Sequence, residues 1–245
     1  MTEVDQLFSD PVLAELYDPF CEGRQDFDYY LPLVLAAGSV LDVGCGTGEL
    51  LRRAAAAGHP GRLAGLDPAA AMLAVARRAA PQLEWQLGDL ASALPTGEFE
   101  LIVMTGNAFQ VLTGDEQLRT ALAAVERLLA PGGRFAFETR NPAAREWERW
   151  TPEAVDRALD AEGQPVDYWR EVELPVAGEL VSFSHTFTRP GWPEPRTARS
   201  TLRFLDTEAL DGFLAVAERY GDWDGSALTA ESPEIITVTR RRGDA

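Results

Sequence analysis

The stretch Val40-Leu41-Asp42-Val43-Gly44-Cys45-Gly46-Thr47-Gly48-Glu49-Leu50 decides how this chain is read. A short aliphatic and β-branched run ends in a carboxylate, three glycines alternate behind it, and an amphipathic helical pattern follows. That order predicts a strand, a sharp turn and a helix N-terminus. Gly44 and Gly46 carry no Cβ, so the backbone can turn tightly and a ligand can approach it closely. The open amides of the following helix add partial positive charge. Such a turn suits an adenosine-bearing ligand. The spacing is G-x-G-x-G, and Glu49 stands where the dinucleotide fingerprint wants a third Gly or Ala.

Outward from this turn the chain alternates strands and helices. Strands are expected at 62–66, 83–87, 99–104 and 134–139, and the run at 99–104 is apolar almost throughout, as befits a strand covered on both faces. Between them Met72, Val75, Ala76 and Ala79, then Leu118, Leu122, Val125 and Leu129, recur at helical spacing. Pro131-Gly132-Gly133 is expected to break the second of these helices. The alternation implies an α/β fold, an open parallel sheet with right-handed crossovers. Before it, residues 11–37 read as two helical pieces. After it, 168–174, 180–189 and 197–205 read as antiparallel strands separated by Pro175, Gly178 and Pro190-Gly191-Trp192-Pro193. Helix is expected again over 207–220, with Leu210, Phe213, Leu214 and Ala217 on one face. A closing strand at 234–240 and a frayed tail at 241–245 complete the chain.

The composition bounds the partners. The 245 residues carry a net charge of -17, with all 22 basic residues arginine. Such a surface repels phosphate backbones and anionic lipid, so neither nucleic acid nor membrane is an expected partner, and a cationic or neutral acceptor is favoured. Residues 1–10 lack the apolar segment of a signal peptide. Cys21 and Cys45 make neither a disulfide framework nor a zinc site, so no metal is expected and a cytoplasmic setting is the simplest. A monomer or weak homodimer is expected.

Ligands of open α/β sheets bind beyond the carboxyl ends of the strands. There stand Gly44, Cys45, Gly46 and Thr47; Asp67; Gly88 and Asp89; Thr105, Gly106 and Asn107; and Thr139, Arg140 and Asn141. Asp67 lies about 20 residues past the glycine turn, the separation expected of a carboxylate accepting from a ribose diol. It is equally placed to cap the helix that Pro68 opens. Asp89 could accept from an adenine amine or merely close a turn. Pro68 and Met72 could sandwich the adenine ring or pack in the core.

Residues 40–50, Gly65-Leu66-Asp67, Gly88-Asp89-Leu90 and Leu129-Ala130-Pro131-Gly132-Gly133 together resemble the successive motifs of class I S-adenosylmethionine-dependent methyltransferases of the small-molecule type. The resemblance spans roughly 12–141 and, more loosely, 197–240. It implies a Rossmann-like, seven-stranded and mostly parallel sheet whose last strand is antiparallel, with an inserted antiparallel β-lid. The divisions are a helical cap over 1–38, a core over 39–150 and 205–245, and the lid over 151–204. It also implies that Gly44, Cys45 and Gly46 line the methionine and ribose parts of S-adenosylmethionine, that Asp67 binds the ribose, and that Asp89 and Leu90 face the adenine. Gly88 and Thr105 join this cofactor set. The cap of similar enzymes carries a Tyr-Asp pair, matched here by Tyr17-Asp18 with Arg24. Tyr17 and Arg24 would suit the methionine carboxylate, and Tyr30 would help close the cap.

The implied reaction is in-line displacement at the sulfonium methyl, with S-adenosylhomocysteine as product, and it asks the protein for alignment and exclusion of water. His185 is the candidate general base, since Phe183, His185 and Phe187 share one strand face; the same pattern also suits a packed histidine. Asn107 is the second catalytic candidate. Phe109, Arg140, Trp169 and Arg203 are the candidate acceptor contacts, with Gln110, Glu138 and Glu171 nearby and Glu138 and Arg140 expected on opposite faces. Two rivals share the motifs: a nicotinamide-dependent oxidoreductase, disfavoured by Glu49, by Gly88-Asp89 and by the absence of any lysine for a Tyr-x-x-x-Lys pair, and a non-catalytic protein that binds S-adenosylmethionine. Trp147, Trp150 and Asp222-Trp223-Asp224-Gly225 have no assigned role.

Overall fold

The computed structural model describes residues 4–176 and 178–241; the last four residues of the expected frayed tail lie outside them. The chain opens with three helices, α1 (Gln6–Ser9), α2 (Pro11–Phe20) and α3 (Asp26–Ala36). Asp10 starts α2 by accepting from the amides of Val12 and Leu13, with Pro11 at the first helical position. Strand β1 (Ser39–Val43) leads through the glycine turn into α4 (Glu49–Ala56), followed by β2 (Arg62–Asp67), α5 (Ala70–Ala79), β3 (Glu84–Leu87), β4 (Phe99–Met104), α6 (Asp115–Leu128) and β5 (Leu129–Arg140).

Strands β6 (Asp156–Leu159), β7 (Pro165–Val172), β8 (Leu180–Thr188) and β9 (Arg196–Arg203) then form a separate sheet, after which α7 (Thr207–Asp211), β10 (Val216–Tyr220) and β11 (Glu234–Arg240) return to the first. That first sheet has seven strands in the order β10-β11-β5-β4-β1-β2-β3. Strands β1 to β5 are mutually parallel, and β11 runs antiparallel to both β5 and β10. The chain reverses its direction of travel across the sheet between β1 and β4, and at such a switch point the strand ends diverge and leave a crevice.

Alternate residues of the central strands fill two layers. Ile102, Met104, Phe135 and Phe137 meet Leu118 and Val125 of α6. Leu101, Val103 and Ala136 meet Tyr30 of α3 and Leu50 and Leu51 of α4. The lid sheet is antiparallel throughout, and β8 buries every second residue: Val181, Phe183, His185 and Phe187. Its inner face rests at one end on α2, where Leu13 and Leu16 meet Val166 and Phe187. At the other end Trp150, with Trp147 beside it, packs on Val181, Phe183 and Phe204. The two tryptophans thus dock the insert onto the core from short 3₁₀ turns rather than from a helix.

Three expectations fail locally. Helix does not run over 207–220: it stops at Asp211, Gly212 follows, and Val216–Tyr220 becomes a strand paired with β11. The Leu210/Phe213/Leu214 face still packs on the core, but the open edge of β11 recruits the alternating Val-Ala-Glu-Arg-Tyr segment, a tertiary demand that outweighs local propensity. The lid gains β6, a short and largely exposed strand without a marked apolar pattern. At Pro131-Gly132 the chain shifts register against β4 and continues within β5 instead of leaving the sheet.

Candidate active site

The glycine turn is tied to the neighbouring strand. The Gly44 amide donates to Leu66 O at 2.8 Å. The Gly46 amide donates to Asp67 Oδ2 at 2.8 Å, and the other carboxylate oxygen accepts from Ala69 N at 2.7 Å. Asp67 therefore performs the capping role open to it and also fastens the turn. Both glycines lie at positive φ, where a Cβ on Gly44 would stand 2.8 Å from Ala108 Cβ and one on Gly46 would stand 3.1 Å from Met72 Cε. The turn is held open by close approach as well as by backbone freedom. Met72 is buried with Tyr17 partly buried against it, and Pro68 is half-buried beside them. Cys45 points its sulfur into the core beside Leu73 and Trp85, leaving only its backbone toward the turn.

At the end of β3, Gly88 adopts a φ of 151° and Asp89 Oδ1 accepts from Ala91 N and Ser92 Oγ, so this carboxylate closes a turn at the crevice edge. Leu90 is buried in the core beside it. Thr105, also buried, leads from β4 into Gly106 and Asn107, and Asn107 is one of two non-glycine residues at positive φ among those described.

The helical cap closes over this loop through buried polar groups. Asp18 accepts from Thr47 Oγ1 and pairs with Arg52, which pins α2 to the glycine turn and α4. Arg24 pairs with buried Asp26, stacks on Phe27 with its carbon 4.6 Å from the ring centre, and reaches Gly106. Glu138, 0% exposed, accepts from Tyr30 Oη at 2.6 Å and from Asn107 N at 2.7 Å. Burial raises its pKa to about 7 against the pull of those two hydrogen bonds. Asp42 is 1% exposed, and its Oδ1 has no partner among the described residues. Burial pushes its pKa to about 8, with Arg24 opposing.

Above the carboxyl end of β5 stands the lid. His185 is 5% exposed, with Nδ1 2.8 Å from Tyr168 Oη and Nε2 2.9 Å from Ser200 Oγ. Burial lowers its pKa to about 3, helped by Arg170 and Arg140. It is neutral at ordinary pH with both nitrogens engaged, so it does not offer the free, suitably basic nitrogen expected of a general base. Asn107 contributes its backbone amide to Glu138, and its buried side-chain oxygen lacks a partner among the described residues.

The expected acceptor contacts scatter. Phe109, 2% exposed, stacks on Phe137 at 3.9 Å between centroids and belongs to the core. Trp169 falls on the outer face of the lid, because Tyr168 and Arg170 share the inner one with His185 and side chains alternate. Arg203 is a strut, pairing with Glu179 of the lid and Asp115 of α6. Of these, only Arg140 lies against the Trp150 indole on which the lid rests, held by Glu146 at 2.8 Å and Gln110 at 3.1 Å. Glu138 and Arg140, two residues apart on β5, leave it on the same side rather than on opposite ones. Asp42, Asp26 and Arg170 join these surroundings without having been singled out by any sequence motif. The first stood in the decisive stretch as the only carboxylate of β1, and the third was detectable from Val166 and Val172 marking the even-numbered face of β7.

The chain's resemblances agree with this crevice. A family model described as a methyltransferase domain matches residues 40–133. The trans-aconitate 2-methyltransferase of Paracidovorax citrulli is 36% identical over 233 residues, 84% of this chain and 88% of that protein. This chain belongs to the class I S-adenosylmethionine-dependent methyltransferases. Two other methyltransferases match over less of their own length. The 2-phytyl-1,4-naphtoquinone methyltransferase of Thermosynechococcus vestitus is 38% identical but covered over 52%, and the trans-aconitate 2-methyltransferase of Variovorax paradoxus is 31% identical and covered over 64%.

Solved methyltransferases share the fold. The S-adenosylmethionine-dependent methyltransferase of Clostridium acetobutylicum superposes with a TM-score of 0.75 at 16% identity, over 95% of this chain and 98% of that one. The CcbJ methyltransferase of Streptomyces caelestis gives 0.72 at 21% identity, over 94% and 96%.

The residues present fit the methyl donor of this class. The turn is narrow and amide-rich, an unpartnered carboxylate oxygen lies buried at its root on Asp42, a guanidinium stands above it on Arg24, and acids flank it at the ends of β2 and β3. No helix of the described residues is long and apolar enough to cross a membrane.

Proposed function

We propose that this methyltransferase moves the methyl group of S-adenosylmethionine onto a small-molecule acceptor bound between the strand ends and the lid. The observation that carries this reading is the glycine turn clasped to Asp67 beside the orphaned carboxylate oxygen of Asp42. When bound, the donor supplies a methyl already activated on a positively charged sulfur. The protein then has to hold, align and dry the reactants, and in-line alignment alone can contribute roughly 7–11 kcal/mol.

Each group has a part in that task. Arg24 receives the amino-acid carboxylate of the donor, and Asp42 balances its ammonium. Asp67 turns its remaining lone pairs to the ribose hydroxyls, each oxygen having used only one on a backbone amide. Asp89 and Leu90 border the adenine. Tyr17 from the cap and Met72 from α5 close the nucleoside, and Thr105 lines the crevice. Relatives of high coverage methylate trans-aconitate by name, which supports a small, soluble acceptor.

The test is thermal and isotopic. S-adenosylmethionine and S-adenosylhomocysteine should each raise the melting temperature by binding the folded state. Incubation with methyl-labelled donor and a metabolite extract should give labelled small molecules. A protein stabilised by NADH and not by either sulfur nucleoside would instead favour the oxidoreductase. Stabilisation without any labelled product would favour a non-catalytic binder.

A further inference from the structure

We propose that the acceptor carries a carboxylate, received by Arg170 on the inner face of the lid; this rests on the methyl-transfer reading above. Arg170 lies opposite His185 in the β7–β8 register, on the face that looks toward the strand ends. Its guanidinium carbon sits 4.7 Å from the centre of the Trp150 ring, and among the described residues it has no carboxylate partner. The neighbouring carboxylates of β7, Asp167 and Glu171, alternate onto the outer face, where Asp167 pairs with Arg157.

The charges around Arg170 offset its own only in part: Asp156 of β6 shares this face opposite Tyr168, but it is exposed and makes no ion pair with Arg170 among the described residues. Arg140 reaches the same indole, at 5.4 Å, but is already taken by Glu146 and Gln110. Glu234, facing Arg140 across β11 and β5, is half-buried with one oxygen unpartnered among the described residues, and desolvation raises its pKa to about 8, so it is largely neutral near pH 7. His185 is neutral as well and spends both nitrogens on hydroxyls.

What remains on the inner face of the lid is one half-buried guanidinium, over an indole and next to a phenol. A planar fork of donors on an aromatic platform matches a planar carboxylate, which it can grip through two parallel hydrogen bonds. The net charge of -17 argues for a cationic acceptor only at long range. Beyond about 10 Å it is screened, and the groups in contact decide the preference. The lid's inner face adjoins the elements that border the donor turn: Phe20 at the end of α2 packs on Tyr168 at 5.3 Å, and Arg140 ends the strand that carries Glu138.

The experiment uses the full chain saturated with S-adenosylhomocysteine. Melting temperature and calorimetric affinity are measured against a panel of small mono-, di- and tricarboxylic acids, their primary amides, matched primary amines and inorganic phosphate. Acids should raise the melting temperature beyond the nucleoside alone, while amides, amines and phosphate should not. Arg170→Gln should weaken the best acid roughly ten- to a hundred-fold, the worth of a charge-assisted contact, and leave the response to S-adenosylhomocysteine as in the parent protein. Arg170→Lys, which keeps charge and packing but loses the fork, should fall between and covers the case in which the glutamine variant misfolds.

The proposal is overturned if acids add nothing in protein that binds the nucleoside, if amines or phosphate do as well as acids, or if both variants keep the parent's affinity. A chain that ignores S-adenosylhomocysteine altogether brings down the methyl-transfer reading and this one with it.

Discussion

Asp42 and Asp67 stand at the ends of adjacent strands, and their surroundings give them different work. Each oxygen of Asp67 accepts a backbone amide, whereas Asp42 keeps one oxygen without a partner among the described residues. Asp67→Ala should therefore cost about 1–3 kcal/mol of stability by stranding two amides. It should also abolish most of the melting shift produced by S-adenosylhomocysteine; a full shift in the variant would remove Asp67 from the donor site. Asp42, with its pKa raised to about 8 by burial, is protonated at pH 7 in the free protein. An ammonium placed beside it favours the charged form and lowers that pKa. Binding of the nucleoside at pH 7 should then release close to one proton, read from calorimetric heats in two buffers of different ionisation enthalpy. Asp42→Asn should suppress the release.

At the scale of elements, the tie of α3 to the sheet runs through one carboxylate. Glu138 of β5 holds Tyr30 of α3 and the amide of Asn107 beyond β4, and Trp223 in the loop before β11 leans on the Tyr29 and Tyr30 rings. Tyr30→Phe should lower the unfolding free energy by about 1–3 kcal/mol in urea titrations, and it should weaken nucleoside binding because the same carboxylate positions the Thr105–Asn107 loop. None of this was legible in the sequence, since its partners lie 108 and 31 residues apart. The parallel core was legible, because its signals are local: a glycine turn, apolar strands, helical periodicity and a proline after Asp67. The last helix was misread because Leu210, Phe213 and Leu214 carry a helical period over too few residues to outweigh an open strand edge. The acceptor wall was half legible. His185 and its flanking phenylalanines marked the inner face of β8, but without the β7 register Trp169 drew attention that belongs to Arg170.

For the molecule as a whole, burial of acids sets the response to pH. Asp42 and Glu234 have pKa values raised to about 8, and Glu138 to about 7. A raised native pKa gives stability that is present in full below the unfolded value near 4 and is lost as pH rises through the native one. The melting temperature of the donor-free protein should therefore fall between pH 5.5 and roughly 8.5, and Asp42→Asn with Glu234→Gln should flatten that slope. An unchanged slope would mean that these acids ionise normally.

Helix α2 spans ten residues between the two halves of the molecule. Its Leu13 and Leu16 rest on the lid, its Ala14 on Met72 and Ala69, and its Asp18 on the glycine turn. One helix thus borders both the donor turn and the lid, and on the proposed reading an acceptor held under the lid would bar the donor's way out. Turnover should be sequential and ordered, with the spent nucleoside the last to leave, competing with fresh donor in initial-rate plots and not with the acceptor.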